Sequence, residues 1–339
     1  MPDSKIKMDG TSGALWEPMW QLHTELTPAE RELLQSSWVR RLHLIHHCGP
    51  MYLNSQLNYS RLQHTLGVFA TIAYFHPEDM ELRAAALLHD IGHVPFSHTL
   101  ERIEGIDHHA ITLDRIQSPE ISGILAAHGL DQARLLHLIT GETASLLRNR
   151  NHTLQLDHLD SWVRSAYFSG RLPVMPRAIL SRLEEEAGYL YGDIETVKLV
   201  QRLIVEEAGI HASIADIGPS ALVLHLVQIL IDRGQLSQNE LSGMTDEMIE
   251  QLLHNSEWTK ADFSRFVNRP WELKVSRGEG DELIPQHSFE WTVRKLYLSM
   301  PLTKDSAKDT FYKETEEAYR LLQPLIGNYW AYWLDEYEC

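Results

Sequence analysis

Apolar residues recur every three or four positions through most of this chain, a spacing that places them on one face of an α-helix. Strict alternation of apolar and polar residues, which is typical of strand hairpins, is not convincing anywhere in the sequence. We therefore expect an all-α fold. The predicted helices cover residues 30–47, 61–75, 81–91, 119–127, 154–168, 177–189, 194–208, 220–233 and 246–253.

The first predicted helix has a recognisable start. Thr27 is a good N-cap residue, Pro28 suits the first helical position, and Glu30 can bond back to the cap. The sequence divides into a short flexible lead over residues 1–15, a main domain over residues 16–255 and a C-terminal helical and loop region over residues 256–339. In the last region, residues 274–286 contain glycine and proline and are expected to form a loop. The aromatic residues after them are expected in the core or in an oligomer contact.

Composition argues against several classes of partner. The chain has 339 residues and a formal net charge of −17, which disfavours general binding to nucleic acids or anionic membranes. No apolar run reaches the roughly 20 residues needed to span a bilayer, and the N-terminus lacks the apolar stretch of a signal peptide. Two cysteines offer no disulfide framework. We expect a cytoplasmic protein that forms a homo-oligomer.

The clearest candidate chemistry lies in residues 87–98, LLHDIGHVPFSH, where three histidines and an aspartate interrupt an apolar run. An ionisable group buried there must be paired, hydrogen-bonded or bound to a metal, and imidazole and carboxylate groups are common metal ligands. Gly92 and Pro95 predict that the helix ends near His93, so the next segment delivers His98. Two consecutive segments can then wrap one site.

Two other segments carry similar groups. Arg61 and His64 are three residues apart and share one side of a predicted helix. Taken singly, such groups can be ordinary structural features, since exposed ion pairs contribute only about 0–1 kcal/mol. The second segment forms one helical face from Asp157, Asp160 or Ser161, and Arg164.

Histidine is abundant, with 19 residues in the chain. Most of the histidines outside these segments share no motif, and we expect them at the surface or in satisfied core positions. They are His43, His46, His47, His128, His137, His152, His211, His225, His254 and His287.

The order of the candidate residues resembles that of the HD superfamily of metal-dependent phosphohydrolases, in the branch of the deoxynucleoside triphosphate triphosphohydrolases. The resemblance rests on RLQHTLGV at residues 61–68, HDIGHVPFSH at residues 89–98 and DHLDSWVR at residues 157–164. His108 follows the second element after about ten residues and is preferred to His109 because Thr112 then matches a small hydroxyl residue of the family. Weaker similarity covers roughly the first three quarters of the chain.

The resemblance implies the HD helical fold and gives the candidate residues their roles. One divalent transition metal, Fe, Mn, Zn, Co or Ni, would be held by two imidazoles and two carboxylates. Mg²⁺ would accompany the substrate phosphates. The implied metal ligands are His64, His89, Asp90 and Asp157; the implied catalytic residues are His93, His98, His108 and Arg61; the implied substrate contacts are Arg61, His158, Arg164 and Tyr167.

The implied activity is hydrolysis of a phosphate ester or anhydride of a nucleotide or a related small molecule, because a metal in such a set polarises phosphoryl oxygen and acidifies water. The third element departs from the family pattern, which has Lys or Arg where this chain has His158 and Tyr where it has Ser161. Both departures weaken contacts to a long phosphate chain or a sugar. We therefore expect a modified nucleotide, or one with fewer phosphates, as the preferred substrate.

Two alternatives stay open at the sequence level. One is a dinuclear phosphomonoesterase or phosphodiesterase, in which His93, His98 or His108 binds a second metal. The other is a catalytically silent HD protein that senses a nucleotide and signals through its C-terminal region.

Overall fold

A computed structural model describes residues 13–55, 57–278 and 284–334. Most of these residues are helical, so the predicted helical fold is confirmed. The α-helices are α1 Pro28–Gln35, α2 Ser37–Arg41, α3 Arg61–Phe75, α4 Met80–Leu88, α5 His108–Gln117, α6 Pro119–Ala127, α7 Gln132–Thr140, α8 Leu156–Phe168, α9 Pro176–Leu180, α10 Ile194–His211, α11 Ile214–Asp232, α12 Asp246–Asn255, α13 Lys260–Asn268 and α14 Lys308–Leu322. Short 3-10 helices cover Leu42–Leu44, Gly49–Leu53, Ser97–Arg102, Gln238–Gly243, Pro270–Glu272 and Gln323–Leu325.

Local capping explains several helix boundaries. The capping box at Thr27 and Glu30 is present and opens α1, as predicted. The predicted helix over residues 30–47 is interrupted at Ser36, whose hydroxyl accepts a hydrogen bond from the Val39 amide and caps α2. Serine competes in this way because its side chain can replace a helical backbone partner. α3 occupies the predicted residues 61–75.

The expected lack of strand hairpins is wrong. Antiparallel hairpins join β1 Ala14–Glu17 to β2 Leu22–Glu25 and β3 Leu183–Glu186 to β4 Tyr189–Gly192. A third sheet has the order β5 Leu273–Ser276, β7 Gly327–Trp333, β6 Phe289–Val293, with both pairs antiparallel. The predicted helix over residues 177–189 therefore ends early, at α9.

The β3–β4 turn shows why that prediction failed. Ala187 and Gly188 both have positive φ, 53° and 82°, the backbone geometry that a two-residue hairpin requires. Neither the run of glutamates in β3 nor an alanine at a positive-φ position is a strand-hairpin signal. The short hairpin therefore has no clear local signature.

The expected boundaries have mixed outcomes. Residues 1–12 lie outside the described residues, whereas Ala14 and Leu15 belong to β1 rather than to a lead. Residues 274–276 of the expected loop belong to β5, and residues 279–283 lie outside the described part of the chain. Tyr329 and Trp333 on β7 are buried, which confirms a core role for these late aromatics.

Two large apolar cores and a small cluster of Met51, Leu57 and Tyr59 hold the described residues together. The first packs α3, α4, α7, α8 and α10, and the second packs α11, α12 and α13 against the three-stranded sheet. Leu253 and Phe263, on either side of the boundary predicted after residue 255, both belong to the second core, and that division stays a prediction. α11 is long and apolar enough to span a membrane, but it packs here as a core helix against β5, β6 and β7.

Candidate metal centre

Three helices bring the four predicted metal ligands together. His64 lies on α3, which packs against both α4 and α8. His89 and Asp90 directly follow α4, and Asp157 lies in the first turn of α8. His64 Nε2 is 3.1 Å from Asp157 Oδ1, and His89 Nε2 is 3.6 Å from the same oxygen. Asp90 oxygens lie 3.8 Å from His64 Nε2 and 3.4 Å from His89 Nε2.

Hydrogen bonds on the far side of each imidazole turn its Nε2 atom toward this cluster. His64 Nδ1 donates to Asp160 Oδ2 at 2.9 Å, and His89 Nδ1 donates to the Ala86 carbonyl at 2.9 Å. Such outer partners set the tautomer of a metal-binding histidine. His89 Nε2 is buried and has no hydrogen-bond partner among the described residues. An unpartnered imidazole nitrogen beside two carboxylates fits a divalent transition metal.

The charges of the cluster also suit a cation. Burial alone raises the pKa of Asp90, but His89, His93 and Arg61 outweigh burial and hold that pKa well below its usual range. Burial lowers the pKa of His64, yet hydrogen bonds to Asp157 and Asp160 prevail and raise it to about 9. The pocket is therefore anionic enough to attract positive charge.

Asp160 is the anchor between α3 and α8. Its carboxylate accepts hydrogen bonds from His64, from Trp20 Nε1 at 2.6 Å and from Arg164 Nε at 2.8 Å. Gly67 makes this approach possible, because a Cβ there would lie 2.0 Å from Asp160 Oδ1. The sequence had placed Asp160 only on a polar helix face; its role in orienting His64 follows from the packing.

Arg61 lies inside the cluster rather than at its mouth. Its guanidinium donates to Asp90 Oδ2 at 2.8 Å, to Ser97 Oγ at 2.9 Å and to the His47 carbonyl at 3.3 Å, and the residue is 3% exposed. The structure thus makes Arg61 a partner of Asp90, one of the predicted metal ligands. Its contact with substrate phosphate stays a prediction.

The three predicted catalytic histidines form a second group beside the first. The rings of His93 and His108 stack at 4.1 Å, and His98 lies 4.9 Å from His93. Glu101 joins them, with Oε1 3.0 Å from His98 Nδ1 and 2.8 Å from His108 Nδ1. His93 Nε2 is 3.3 Å from Asp90 Oδ1, which links the two groups.

The sequence reasoning missed Glu101. The available signal was its position three residues after His98 on a helical turn, where the side chains can meet. Burial alone raises the pKa of Glu101, but His98 and His108 lower it far below its usual range. An ionised Glu101 can therefore orient these imidazoles.

A close backbone approach brings His108 to His93. A Cβ on Gly92 would lie 2.1 Å from the His108 carbonyl oxygen and 2.4 Å from Thr112 Oγ1. The Gly92 amide donates to Thr112 Oγ1 at 3.0 Å, which fixes α5 against the loop after α4. The His109 ring lies 3.8 Å from that of His108 and contacts Arg148, with Nε2 3.2 Å from Nη2, whereas His108 is the one that offers a ligand atom beside His93, His98 and Glu101. The placement favours His108 over His109.

The expectation for His47 is wrong, because His47 belongs to the site region. Its ring lies 4.5 Å from that of His64, and its Nε2 lies 3.2 Å from Ser161 Oγ. His47, His64 and Asp90 each offer a ligand atom within 4.8 Å of the others. His47 comes close because an isolated bridge pairs His46 with Ser60, a long-range contact without a local sequence signal.

The predicted substrate residues of α8 are not all at the site. His158 lies at its edge, 5.4 Å from the Trp162 ring. Arg164 is buried and pairs with Asp160 and with Glu17 Oε1 at 2.9 Å, so its guanidinium faces away from the metal ligands. Tyr167 is 42% exposed and ten residues beyond Asp157 along the helix. The structure brings only His158 near the cluster, and all three substrate roles stay predictions.

Part of this chain is similar to known proteins. Residues 61–189 match the family model of the HD domain. The metal-dependent phosphohydrolase cns2 of Cordyceps militaris is 29% identical over 151 residues, which cover 43% of this chain and 42% of that protein. The matched segments span less than half the length of the curated relatives.

Two solved structures share the fold over nearly the whole chain. A hypothetical protein from Aquifex aeolicus superposes with a TM-score of 0.70 at 21% identity, covering 95% of this chain and 96% of its own. A phosphohydrolase from Bacteroides thetaiotaomicron gives a TM-score of 0.66 at 14% identity, covering 95% and 99%. At these identities the likeness concerns the fold.

Proposed function

Residues 61–189 form an HD domain, and on that premise we propose that the protein is a metal-dependent phosphohydrolase acting on a phosphorylated small molecule. The observation that carries the proposal is the convergence of His64, His89, Asp90 and Asp157 around the unpartnered His89 Nε2. The name of the Cordyceps metal-dependent phosphohydrolase supports it. More specifically, we propose that the protein belongs to the deoxynucleoside triphosphate triphosphohydrolase branch of the HD superfamily.

The chain's own residues divide the chemistry between two groups. A divalent metal held by the four ligands supplies Lewis acidity and water of lowered pKa. His98 is the most exposed of the three neighbouring histidines, with 46% of its side chain accessible, so it can reach a leaving group. Water attacks phosphorus and the bond to the leaving oxygen breaks. His98, a neutral imidazole because burial lowers its pKa, accepts a proton from the attacking water at Nε2 and delivers that proton to the leaving oxygen. Glu101 holds His98 through Nδ1, leaving Nε2 for that transfer.

We further propose a nucleotide as the substrate. The resemblance to triphosphohydrolases supports it. On α8, however, His158 and Ser161 stand where the family pattern has a Lys or Arg and a Tyr, so this helix lacks that cation and that aromatic ring. The number of phosphates accepted therefore depends on which other residues line the pocket. Cytoplasmic localisation and a homo-oligomeric state also belong to the proposal.

The test is a metal assay combined with a product assay. Purified protein is loaded with Fe, Mn, Zn, Co or Ni, and its turnover of a nucleotide panel is followed by separating orthophosphate, pyrophosphate and tripolyphosphate. Asp157→Asn should lose most bound metal and nearly all hydrolysis, because it removes a ligand charge. Asp309→Asn, at an exposed site on α14, is the matched control and should retain both. Full metal content and activity in Asp157→Asn would overturn the assignment.

The second group favours one alternative, a dinuclear phosphomonoesterase or phosphodiesterase. His93, His98, Glu101 and His108 each offer a ligand atom within 4.8 Å of the others, a donor set that a second metal could use. Glu101→Gln distinguishes the two. Loss of one of two bound equivalents of metal supports the dinuclear enzyme, whereas unchanged metal with a lowered rate supports proton transfer. Binding of nucleotide without any turnover would indicate a silent sensor.

A further inference from the structure

A segment from the C-terminal region, residues 294–300, crosses the edge of the candidate metal centre. It leaves β6 and is tied to the residues just before α8 by two backbone hydrogen bonds, from the Met300 amide to the His152 carbonyl at 2.8 Å and from the Leu154 amide to the Met300 carbonyl at 3.2 Å. Tyr319 on α14 donates to the Ser299 carbonyl at 2.7 Å. These bonds fix the segment beside Asp157.

Tyr297 in this segment stands between the two groups of the site. Its ring centroid lies 6.1 Å from that of His98 and 5.8 Å from that of His158. Ser299 Oγ is 3.5 Å from His158 Nδ1 on the same side. A half-buried tyrosine that contacts a rim histidine of each group forms part of the wall that a substrate must pass.

Lys295 brings a cation to this wall. Its Nζ lies 4.6 Å from the centroid of the Tyr297 ring, and the side chain has no carboxylate within 4.0 Å among the described residues. Lys295 is exposed. An ammonium held only by an aromatic face loses little when it turns to a stronger anion such as phosphate.

We propose that Lys295 binds a phosphate group of the substrate other than the one attacked, and that the Tyr297 ring positions its ammonium for that contact. The inference rests on the proposed function and deepens it, since it names substrates with at least two phosphates as the preferred class. It also gives the C-terminal region a role in substrate selection. The departures at His158 and Ser161 led us to expect a substrate nucleotide with fewer phosphates. That expectation then applies only to a pocket without the Lys295 contact.

The experiment measures binding rather than turnover. Calorimetry compares two non-hydrolysable probes, methylenediphosphonate and methylphosphonate, on the metal-loaded full chain, with metal content checked before and after. Lys295→Gln should weaken the diphosphonate about tenfold and the monophosphonate less than twofold, as expected for losing one charge-assisted contact to the second group. Lys308→Gln, at an exposed site at the start of α14, is the matched control and should bind both probes like the wild type.

Tyr297 variants separate the ring from the hydroxyl. Tyr297→Phe keeps the aromatic face and should retain diphosphonate affinity, whereas Tyr297→Leu should lose part of it at unchanged metal content. The Lys295→Gln effect should also shrink as salt rises, because the contact lies at the exposed rim. Equal loss of both probes in Lys295→Gln, or no loss of either, would overturn the inference.

Hydrolysis by the wild type tests the proposed function, whereas diphosphonate binding by Lys295→Gln tests the role of Lys295. Wild-type protein that hydrolyses nucleotides while Lys295→Gln binds the diphosphonate normally would keep the phosphohydrolase and remove this role of Lys295. Selective weakening in Lys295→Gln, with no hydrolysis by the wild type under any metal, would support a polyphosphate-binding wall on a protein that is not a phosphohydrolase.

Discussion

Gly67 is the residue on which the contact between α3 and α8 depends. Its missing side chain leaves room for the Asp160 carboxylate, which in turn orients His64. Gly92 has the same function where α5 meets the loop after α4. At both positions a Cβ atom would collide with a neighbouring segment of the site, so only glycine fits there.

We predict that Gly67→Ala lowers the free energy of unfolding by about 1–3 kcal/mol, because the added Cβ overpacks a site with no room to yield. Urea unfolding at neutral pH measures the change. Gly123→Ala on α6 is the control, since a Cβ there meets nothing within 4 Å, and it should be neutral or stabilising by up to about 1 kcal/mol as alanine favours the helix. Equal stability of Gly67→Ala and wild type would contradict the steric argument.

At the scale of elements, the loop between α4 and α5 is held from a distance. Phe96 and Ser97 both have positive φ, 55° and 53°, which costs energy for residues with side chains. Asp246, at the start of α12, accepts hydrogen bonds from the amides of Phe96 and His46, each at 2.7 Å. An element 150 residues away in sequence thus stabilises the loop that carries His93 and His98, two of the predicted catalytic histidines.

Asp246→Ala should therefore destabilise both the fold and the loop. Two amides lose their acceptor, and each buried unsatisfied group costs about 1–3 kcal/mol. Chemical denaturation should show the loss of stability, and hydrogen exchange should show faster opening around Phe96. Asp309→Ala, at an exposed position, provides the baseline. Unaltered exchange in the loop would show that Asp246 does not hold it.

The junction of α10 and α11 gives a pH-dependent prediction. Burial lowers the pKa of His211, but Asp216 and Glu207 outweigh burial and raise it to about 9. A folded-state pKa above the unfolded value contributes stability below pH 6.5 that is lost as the pH rises through 9. His211→Gln should therefore be less stable than wild type at pH 6.5, and this difference should shrink by pH 9.5. A difference that does not change with pH in urea titrations would refute the ion-pair interpretation.

At the scale of the whole molecule, the predicted metal ligands lie on α3, on α8 and directly after α4, helices that meet in one core. Binding to the folded state alone must stabilise the fold, because the unfolded chain has no preformed site. At a free metal concentration a hundred times the dissociation constant, the gain is about 2.7 kcal/mol. Addition of a suitable divalent metal to chelator-treated protein should raise its Tm by several degrees. Addition of the same metal should leave the Tm of His89→Ala unchanged. A rise in Tm equal to that of the wild type would show that the metal binds elsewhere.

The sequence by itself determined the helical class and the four candidate ligands. Helical spacing and capping are local properties, so α3 and the start of α1 could be predicted from a few neighbouring residues. The ligands could be predicted because imidazole and carboxylate groups in an apolar run leave few physical options.

Only the tertiary structure decided which other groups join them. His47 and Lys295 reach the site region through contacts between segments far apart in the chain, and such contacts leave no periodic or compositional trace. Packing also pairs Arg164 with Asp160 and Glu17, and its contact with a substrate stays a prediction. Local chemistry names the groups able to act, whereas packing sets their distances and partners, and a site depends on both.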